Sequence, residues 1–553
     1  MTSAHSRRRR VLMAGAGFTA SALALAGCSG GGGNDGDGGG DPLADNGSSI
    51  IVGTTDTITS LDPAGSYDNG SFAVQNQVFP FLYNSPYGSP DVEPDIAESG
   101  EFTSPTEFTV TLKEGLTFAN GNELTASDVK FTFDRVRTIA ENGADQGNGP
   151  SSLLANLDTV EAPDDTTVVF TLKTENDQTF EQVLSSPAGP IVDEEVFPAD
   201  ALADPADIVE GKPFAGQYVI TDYTANEIIR YEKNPEYGGL LPEAENDEVT
   251  AQYFADETSM KLAVQEGEID VATRSLSPTD IADLKQDDNV VVHDGPGGEI
   301  RYIVFNFNTQ PYGATQPDAD PAKALAVRQA VADLVDRDAL SEEVYNGTFT
   351  PLYSYVPDGL TGANTALEGI YGDGNGAPDA DKAAERLSAA GVTTPVTLDL
   401  QFSPDHYGNS SGDEYALVKE QLEESGLFTV NLQSTLWDVY RAERVDDAYP
   451  AYQLGWFPDY SDADNYLTPF FLDGGFLLNH YSNPEVNELI TAQLSETDED
   501  ARAELIGEIQ DKVAADLSTV PLLQGAQVAV SGTDVEGVTL DASFKFRYAP
   551  LTK

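Results

Sequence analysis

Cysteine is nearly absent: Cys28 stands alone in 553 residues. A disulfide framework and a cysteine-based zinc cluster are therefore excluded within the chain. Histidine is scarce too, and His5, His293, His406 and His480 are too scattered for a metal-binding triad. Positive charge is short: 29 Lys and Arg face 93 Asp and Glu, a formal net charge of −64. That balance argues against nucleic acid or an anionic membrane surface as a partner, because both demand clustered Lys and Arg. The acids run along the whole chain, so they read as a solubilising surface, suited to a salty or exported setting, and not as one acidic site. Beyond the N-terminal segment, no apolar run approaches the roughly 18 residues that a bilayer-spanning helix needs. No Gly-x-x-x-x-Gly-Lys-Ser/Thr loop occurs, so this chain is not expected to hydrolyse ATP. Asp459, Asp462 and Asp464 match part of a calcium loop, but its glycine and terminal glutamate are missing. Neither a metal nor a cofactor is expected.

What is present begins with an export segment. Ser6-Arg7-Arg8-Arg9-Arg10 is a basic n-region, and residues 11–26 form the apolar, small-residue stretch of a signal peptide. Leu25-Ala26-Gly27-Cys28 then resembles the bacterial lipobox, which implies removal of residues 1–27 and lipidation of Cys28. Arg9-Arg10-Val11-Leu12-Met13 also resembles a loose twin-arginine signal. A diacylated cysteine would anchor the chain stably at a membrane. Residues 28–49 are rich in Gly, Ser and Asp and have almost nothing to bury, so they read as a flexible tether.

The remaining length exceeds one hydrophobic core, and two or three domains are expected. Ile50-Ile51-Val52-Gly53 opens the folded body as a strand. Phe108, Val110 and Leu112 alternate with polar residues, Glu114-Gly115 turns the chain, and Leu116 and Phe118 continue, which reads as a hairpin. Thr125-Ala126-Ser127-Asp128 caps a helix with Val129, Phe133 and Val136 on one face. Val168, Phe170 and Leu172 make another alternating strand. Val327, Val331, Leu334 and Val335 line a helical face, as do Leu505, Ile509 and Val513 after the acidic Asp498-Glu499-Asp500. Residues 302–307 are a strongly apolar run ahead of a proline-rich loop, a strand leading from one lobe into another.

Several segments then occur in a fixed order: Asp62-Pro63-Ala64, Pro94-Asp95-Ile96-Ala97-Glu98-Ser99, residues 108–121, and Leu124-Thr125-Ala126-Ser127-Asp128-Val129. Pro213-Phe214-Ala215-Gly216-Gln217-Tyr218, Lys233-Asn234-Pro235-Glu236-Tyr237, residues 262–270 and Arg328-Gln329-Ala330-Val331 follow. Over about residues 50–550 the chain resembles the family 5 extracellular solute-binding proteins, the oligopeptide and dipeptide receptors of ABC importers. The resemblance implies an α/β, periplasmic-binding-protein-like type II fold of two lobes with an additional inserted domain, the cluster C architecture. It assigns residues 50–76, 190–298 and 525–553 to lobe I, 77–189 to the inserted domain and 299–524 to lobe II. It implies a monomeric receptor, not an enzyme, anchored by lipid at Cys28 to the outer face of the cell membrane. Its partners would be an extracellular solute, with a peptide favoured over an oligosaccharide or a metal chelate, and an ABC permease with its ATPase.

The stretch that holds the candidate site is residues 454–466. Tyr452, Leu454 and Trp456 enter it with strand alternation, and Pro458 ends the run. An aromatic platform and a carboxylate thus stand where a strand meets a loop, a place that holds ligand-reading groups on a rigid base. Core packing for Trp456 and simple solvation for Asp459 are the competing readings. In the family's peptide receptors, an aspartate of a Gly-Trp-x-x-Asp segment pairs with the peptide α-amino group. That role carries over to Asp459, with Trp456 as the neighbouring wall and Tyr460, Trp437 and Tyr67 as further ligand-binding residues. This loop departs from the commoner pattern in that Pro458 precedes the aspartate and Ala463 replaces a proline. No basic residue stands out as partner for a peptide carboxylate. Asn306 or Asn308 is expected near the interlobe crossing.

A hydrolase is the rival class, because Gly408-Asn409-Ser410-Ser411-Gly412 fits Gly-x-Ser-x-Gly with His480 downstream. The nucleophile elbow requires the serine directly after a buried strand. Here the strand-like residues 396–402 end too early and Pro404 intervenes, so the segment reads as a loop.

Overall fold

A strand of six buried residues, Ile300–Phe305, organises the larger half of the molecule. Continuous burial on both faces accounts for the apolar run of residues 302–305 within it, where a half-exposed strand would alternate, and Arg301 is buried with them. The computed structural model describes residues 49–553 except 275, 542 and 544; the export segment, Cys28 and most of the tether lie outside the described residues. Ile300–Phe305 pairs antiparallel with both Ala451–Trp456 and Thr519–Gly525. It is an inner strand of a six-stranded sheet completed by Phe349–Pro351, Val396–Phe402 and Phe428–Ser434. Residues 300–525 supply that whole sheet and the largest apolar core.

A second, seven-stranded sheet is built from separated pieces of chain. Ser49–Thr54 lies near its middle, parallel to Glu248–Tyr253 and Val271–Thr273. Tyr218–Thr224, Ile228–Lys233, Val290–Gly295 and Gln527–Gly532 complete it. Between its first two pieces the chain forms a four-stranded antiparallel sheet of Ala97–Ser104, Glu107–Leu112, Thr167–Leu172 and Leu157–Glu161 with its own core.

The chain crosses between the two large sheets at residues 296–299 and again at 525–526, and the crossings lie against each other. Gly525 N donates to Glu299 O over 2.8 Å. A Cβ on Gly297 would collide with the Gly525 carbonyl, so only glycine allows this approach.

Most local readings match the elements. The helix Ala126–Asn142 begins in a capping box and ends at Gly143 with φ of 73°. Thr125 Oγ1 accepts from Ser127 N, Asp128 Oδ2 accepts from Thr125 N, and Val129, Phe133 and Val136 are buried. Thr125→Ala should cost about 1 kcal/mol of stability in a urea titration, the ordinary worth of an N-cap. Two readings need correction. The strand Glu107–Leu112 takes the preceding Ala97–Ser104 as its hairpin partner, not residues 116–118. Thr106 and Pro105 make the tight turn, whereas the chain after Gly115 leaves the sheet. In the helix Glu499–Asp516 the buried stripe runs through Ile506, Ile509 and Val513, and Leu505 is half-buried. Among the described residues no helix is long and apolar enough to cross a membrane.

Candidate functional site

The strand Ala451–Trp456 stops at Trp456, and the loop beyond Pro458 is folded back by one residue, Asn465. The Asn465 carbonyl oxygen accepts from Trp456 Nε1 at 2.8 Å and from Asp459 N at 3.0 Å. Its amide nitrogen donates to Asp459 Oδ2 at 3.3 Å. Asn465 belongs to the short turn Ala463–Tyr466, capped by Asp462. Asp462 in turn holds Arg502 through two bonds of 2.7 and 2.8 Å. Both the indole and the carboxylate are therefore fixed before any ligand arrives.

The other oxygen of Asp459 receives its hydrogen bond from the far side of the molecule. Tyr67 OH donates to Asp459 Oδ1 across 392 positions of sequence. Tyr67 precedes the helix Asn69–Val78, which belongs with the seven-stranded sheet, so this bond joins the two large halves. Asp459 has only neutral donors around it. Burial pushes its carboxyl up to about 6, partly offset by the Tyr67 and Asn465 hydrogen bonds. Burial and the adjacent carboxylate raise the Tyr67 hydroxyl as well.

Of the residues expected from sequence, Tyr67, Trp456 and Asp459 come together. Trp456 also packs edge-on against Phe470, with ring centroids 5.1 Å apart, so it combines the core role with its place beside Asp459. Tyr460, expected as a ligand wall, is taken up in packing against the core of the four-stranded sheet. Trp437 lies flat on His406 at 3.7 Å, and its backbone N donates to Asp405, with no contact to Asp459. Asn306 and Asn308 both donate to Asp447, which also holds His480 at 2.7 Å. Ser410 is the N-cap of the helix Ser411–Glu424, and no hydrogen bond joins it to His480 among the described residues. The strand before it ends at Phe402, which leaves the nucleophile-elbow geometry unmet. No group of acids, histidines or cysteines able to hold a metal occurs among the described residues.

Next to this loop, a cavity of about 470 Å³ opens between the two sheets, floored by the crossing segments and walled by Phe457 and Pro458 at the loop end. Sequence reading missed its charged residues, Glu257, Arg274, Glu299, Arg301 and Asp405. Arg301 is 4% exposed and spends its donors on Glu299, Tyr345, Glu414 and the Tyr407 carbonyl. Its guanidinium lies 4.8 Å from the Phe349 ring centre. Only its place at the start of the strand, one residue ahead of the apolar run 302–305, could have marked it.

Comparison with known proteins gives a consistent set of relatives. A family model described as bacterial extracellular solute-binding proteins, family 5 middle, matches residues 91–477. The probable D,D-dipeptide-binding periplasmic protein DdpA of Escherichia coli is 24% identical over 503 residues, covering 88% of this chain and 90% of that protein. Heme-binding protein A of Haemophilus influenzae is 26% identical over 514 residues, covering 89% of each. The structure of the periplasmic binding protein DppA from Helicobacter pylori, in complex with the peptide STSA, superposes with a TM-score of 0.71 at 20% identity. It covers 91% of this chain and 98% of that one.

Proposed function

The chain belongs to the bacterial extracellular solute-binding proteins of family 5, and from that premise we propose that it captures a peptide by its α-amino group at Asp459 and delivers it to an ABC permease. The observation that carries this reading is a partly buried carboxylate, supplied with neutral donors alone, at the junction of the two halves. A buried carboxylate lacks compensation until a cation pairs with it, and an ammonium supplies both charge and donors. The dipeptide and peptide named for two relatives support the same ligand class. Residues 50–76, 190–298 and 525–553 would form lobe I, 77–189 the inserted domain and 299–524 lobe II, closing around the ligand. The receptor would be monomeric, lipidated at Cys28 and held outside the cell membrane beside the permease and its ATPase. Enclosure removes water and strengthens each polar contact, while lobe motion permits entry and release.

A thermal-shift screen of the purified folded body tests this. Free peptides should stabilise it and N-acetylated versions of the same peptides should not. Stabilisation by oligosaccharides or metal chelates alone would overturn the peptide reading.

The raised carboxyl sets a pH dependence. The ammonium pairs only with ionised Asp459, and that form is lost as pH falls through about 6. Peptide amino groups stay protonated throughout this range. Affinity measured by calorimetry should therefore be highest near pH 7, drop about tenfold by about pH 5 with the ionised fraction of a single acid, and fall again above about pH 8 as the peptide amino group loses its proton. A flat profile down to pH 5 would remove Asp459 as the anchor.

A further inference from the structure

We infer that the preferred ligand carries a second positive charge, on a side chain received in the cavity beside Asp459. This rests on the peptide reading above and concerns what the cavity selects. Three carboxylates line it, Glu257, Glu299 and Asp405, against two guanidiniums, Arg274 and Arg301. The guanidiniums are already engaged. Arg301 is enclosed by Glu299 and Glu414, and Arg274 pairs with Asp56 at 3.1 Å. His406, pushed down to about 4 by burial, is neutral at physiological pH and adds no positive charge. No lysine lines the cavity among the described residues.

The carboxylates, in contrast, retain unused oxygens. Both contacts from Arg301 fall on Glu299 Oε1, Asn409 reaches only Glu257 Oε1, and Ser403 and Trp437 both donate to Asp405 Oδ1. Glu299 Oε2, Glu257 Oε2 and Asp405 Oδ2 thus lack a hydrogen-bond partner among the described residues. General acidity of the surface does not account for Glu299 and Glu257, because burial raises both carboxyls, and Asp405 stands at the exposed rim beside them. A carboxylate drawn out of water is stabilised by a cation and destabilised by a further anion. The Phe457 ring and the His406 imidazole supply apolar surface for the methylene stem of a lysine or arginine side chain. An acidic side chain would meet like charges and no free donor cation.

Calorimetry with Ala-Lys-Ala, Ala-Ala-Ala, Ala-Glu-Ala and the non-peptide cation spermidine tests this, using the wild type and the Glu257→Gln/Asp405→Asn variant. Neither substituted residue contacts Asp459. Ala-Lys-Ala should bind about tenfold more tightly than Ala-Ala-Ala, and Ala-Glu-Ala about tenfold more weakly, as for partly screened charge pairs. The double variant should shrink both differences. Equal binding of the three peptides would overturn the charge selection and leave the peptide reading intact. Binding of spermidine without any peptide would keep the charge selection and remove the peptide reading. No binding by any probe overturns both.

Discussion

Asp459→Asn should weaken peptide binding by on the order of 100-fold, the usual effect of deleting one partner of a desolvated, hydrogen-bonded charge pair. The substitution keeps size and shape. The new amide satisfies both neighbours in one rotamer, with its oxygen accepting from Asn465 Nδ2 and its nitrogen donating to the Tyr67 hydroxyl, which can accept as well as donate. Loss of binding would therefore report the missing negative charge and not a rearranged loop. The unliganded protein supplies a control of opposite sign. Because the folded state raises this carboxyl to about 6, it binds a proton more readily than the unfolded chain does. Ionised Asp459 consequently lowers stability once pH rises through that value, and the penalty fades as pH falls below it. The asparagine variant should melt at least as high as the wild type above neutrality while failing to bind peptides. A variant that binds peptides normally would mean that the ammonium is held elsewhere.

The elements around this loop were readable from sequence to the extent that their causes are local. Strand alternation into Trp456, the stop at Pro458 and the capping box at Thr125 all lie within a few residues of what they determine. So does the run of residues 302–305, whose burial on both faces follows from an unbroken apolar composition. What escaped is what the chain brings together from a distance. Tyr67 is expected at the site only through the family resemblance, and its bond to Asp459 depends on two sheets meeting. Tyr460 lies one residue beyond Asp459 yet packs into a different core, and nothing in their adjacency separates the two fates. Asn465 is an ordinary loop residue by composition, although it positions both the indole and the carboxylate. Glu299 and Arg301 were missed because the apolar run after them signals a strand and not the charge carried at its start. The hairpin error has the same origin, since period-two alternation identifies a strand but not its partner.

Arg135→Ala should destabilise the folded body by about 3–5 kcal/mol, the range for leaving one member of a buried ion pair without its counterpart. Arg135 grips both oxygens of Asp62, at 2.8 and 2.6 Å, and the side chains are 2% and 0% exposed. It also donates to the carbonyls of Pro198 and Ala201 and lies over the Phe197 ring. Truncation would strand the Asp62 charge with only the Ala64 and Ala203 amides as donors. Arg135→Lys keeps the charge but forfeits the forked geometry, so its loss should be intermediate. Neutralising both partners, as Arg135→Met with Asp62→Asn, should recover much of the deficit, because no unpaired buried charge remains. Urea titrations of these variants, with the single Arg135→Met and Asp62→Asn proteins closing a double-mutant cycle, separate this coupling from lost packing. The clamp also bears on binding. Asp62 caps the short turn Pro63–Gly65, and the loop from that turn presents Tyr67 to Asp459. A variant that stays folded but holds this turn loosely should therefore close less readily on a peptide, with affinity falling alongside stability. Full affinity in a destabilised but folded Arg135→Lys protein would show that the turn is positioned by its other contacts, and that the ion pair serves stability alone.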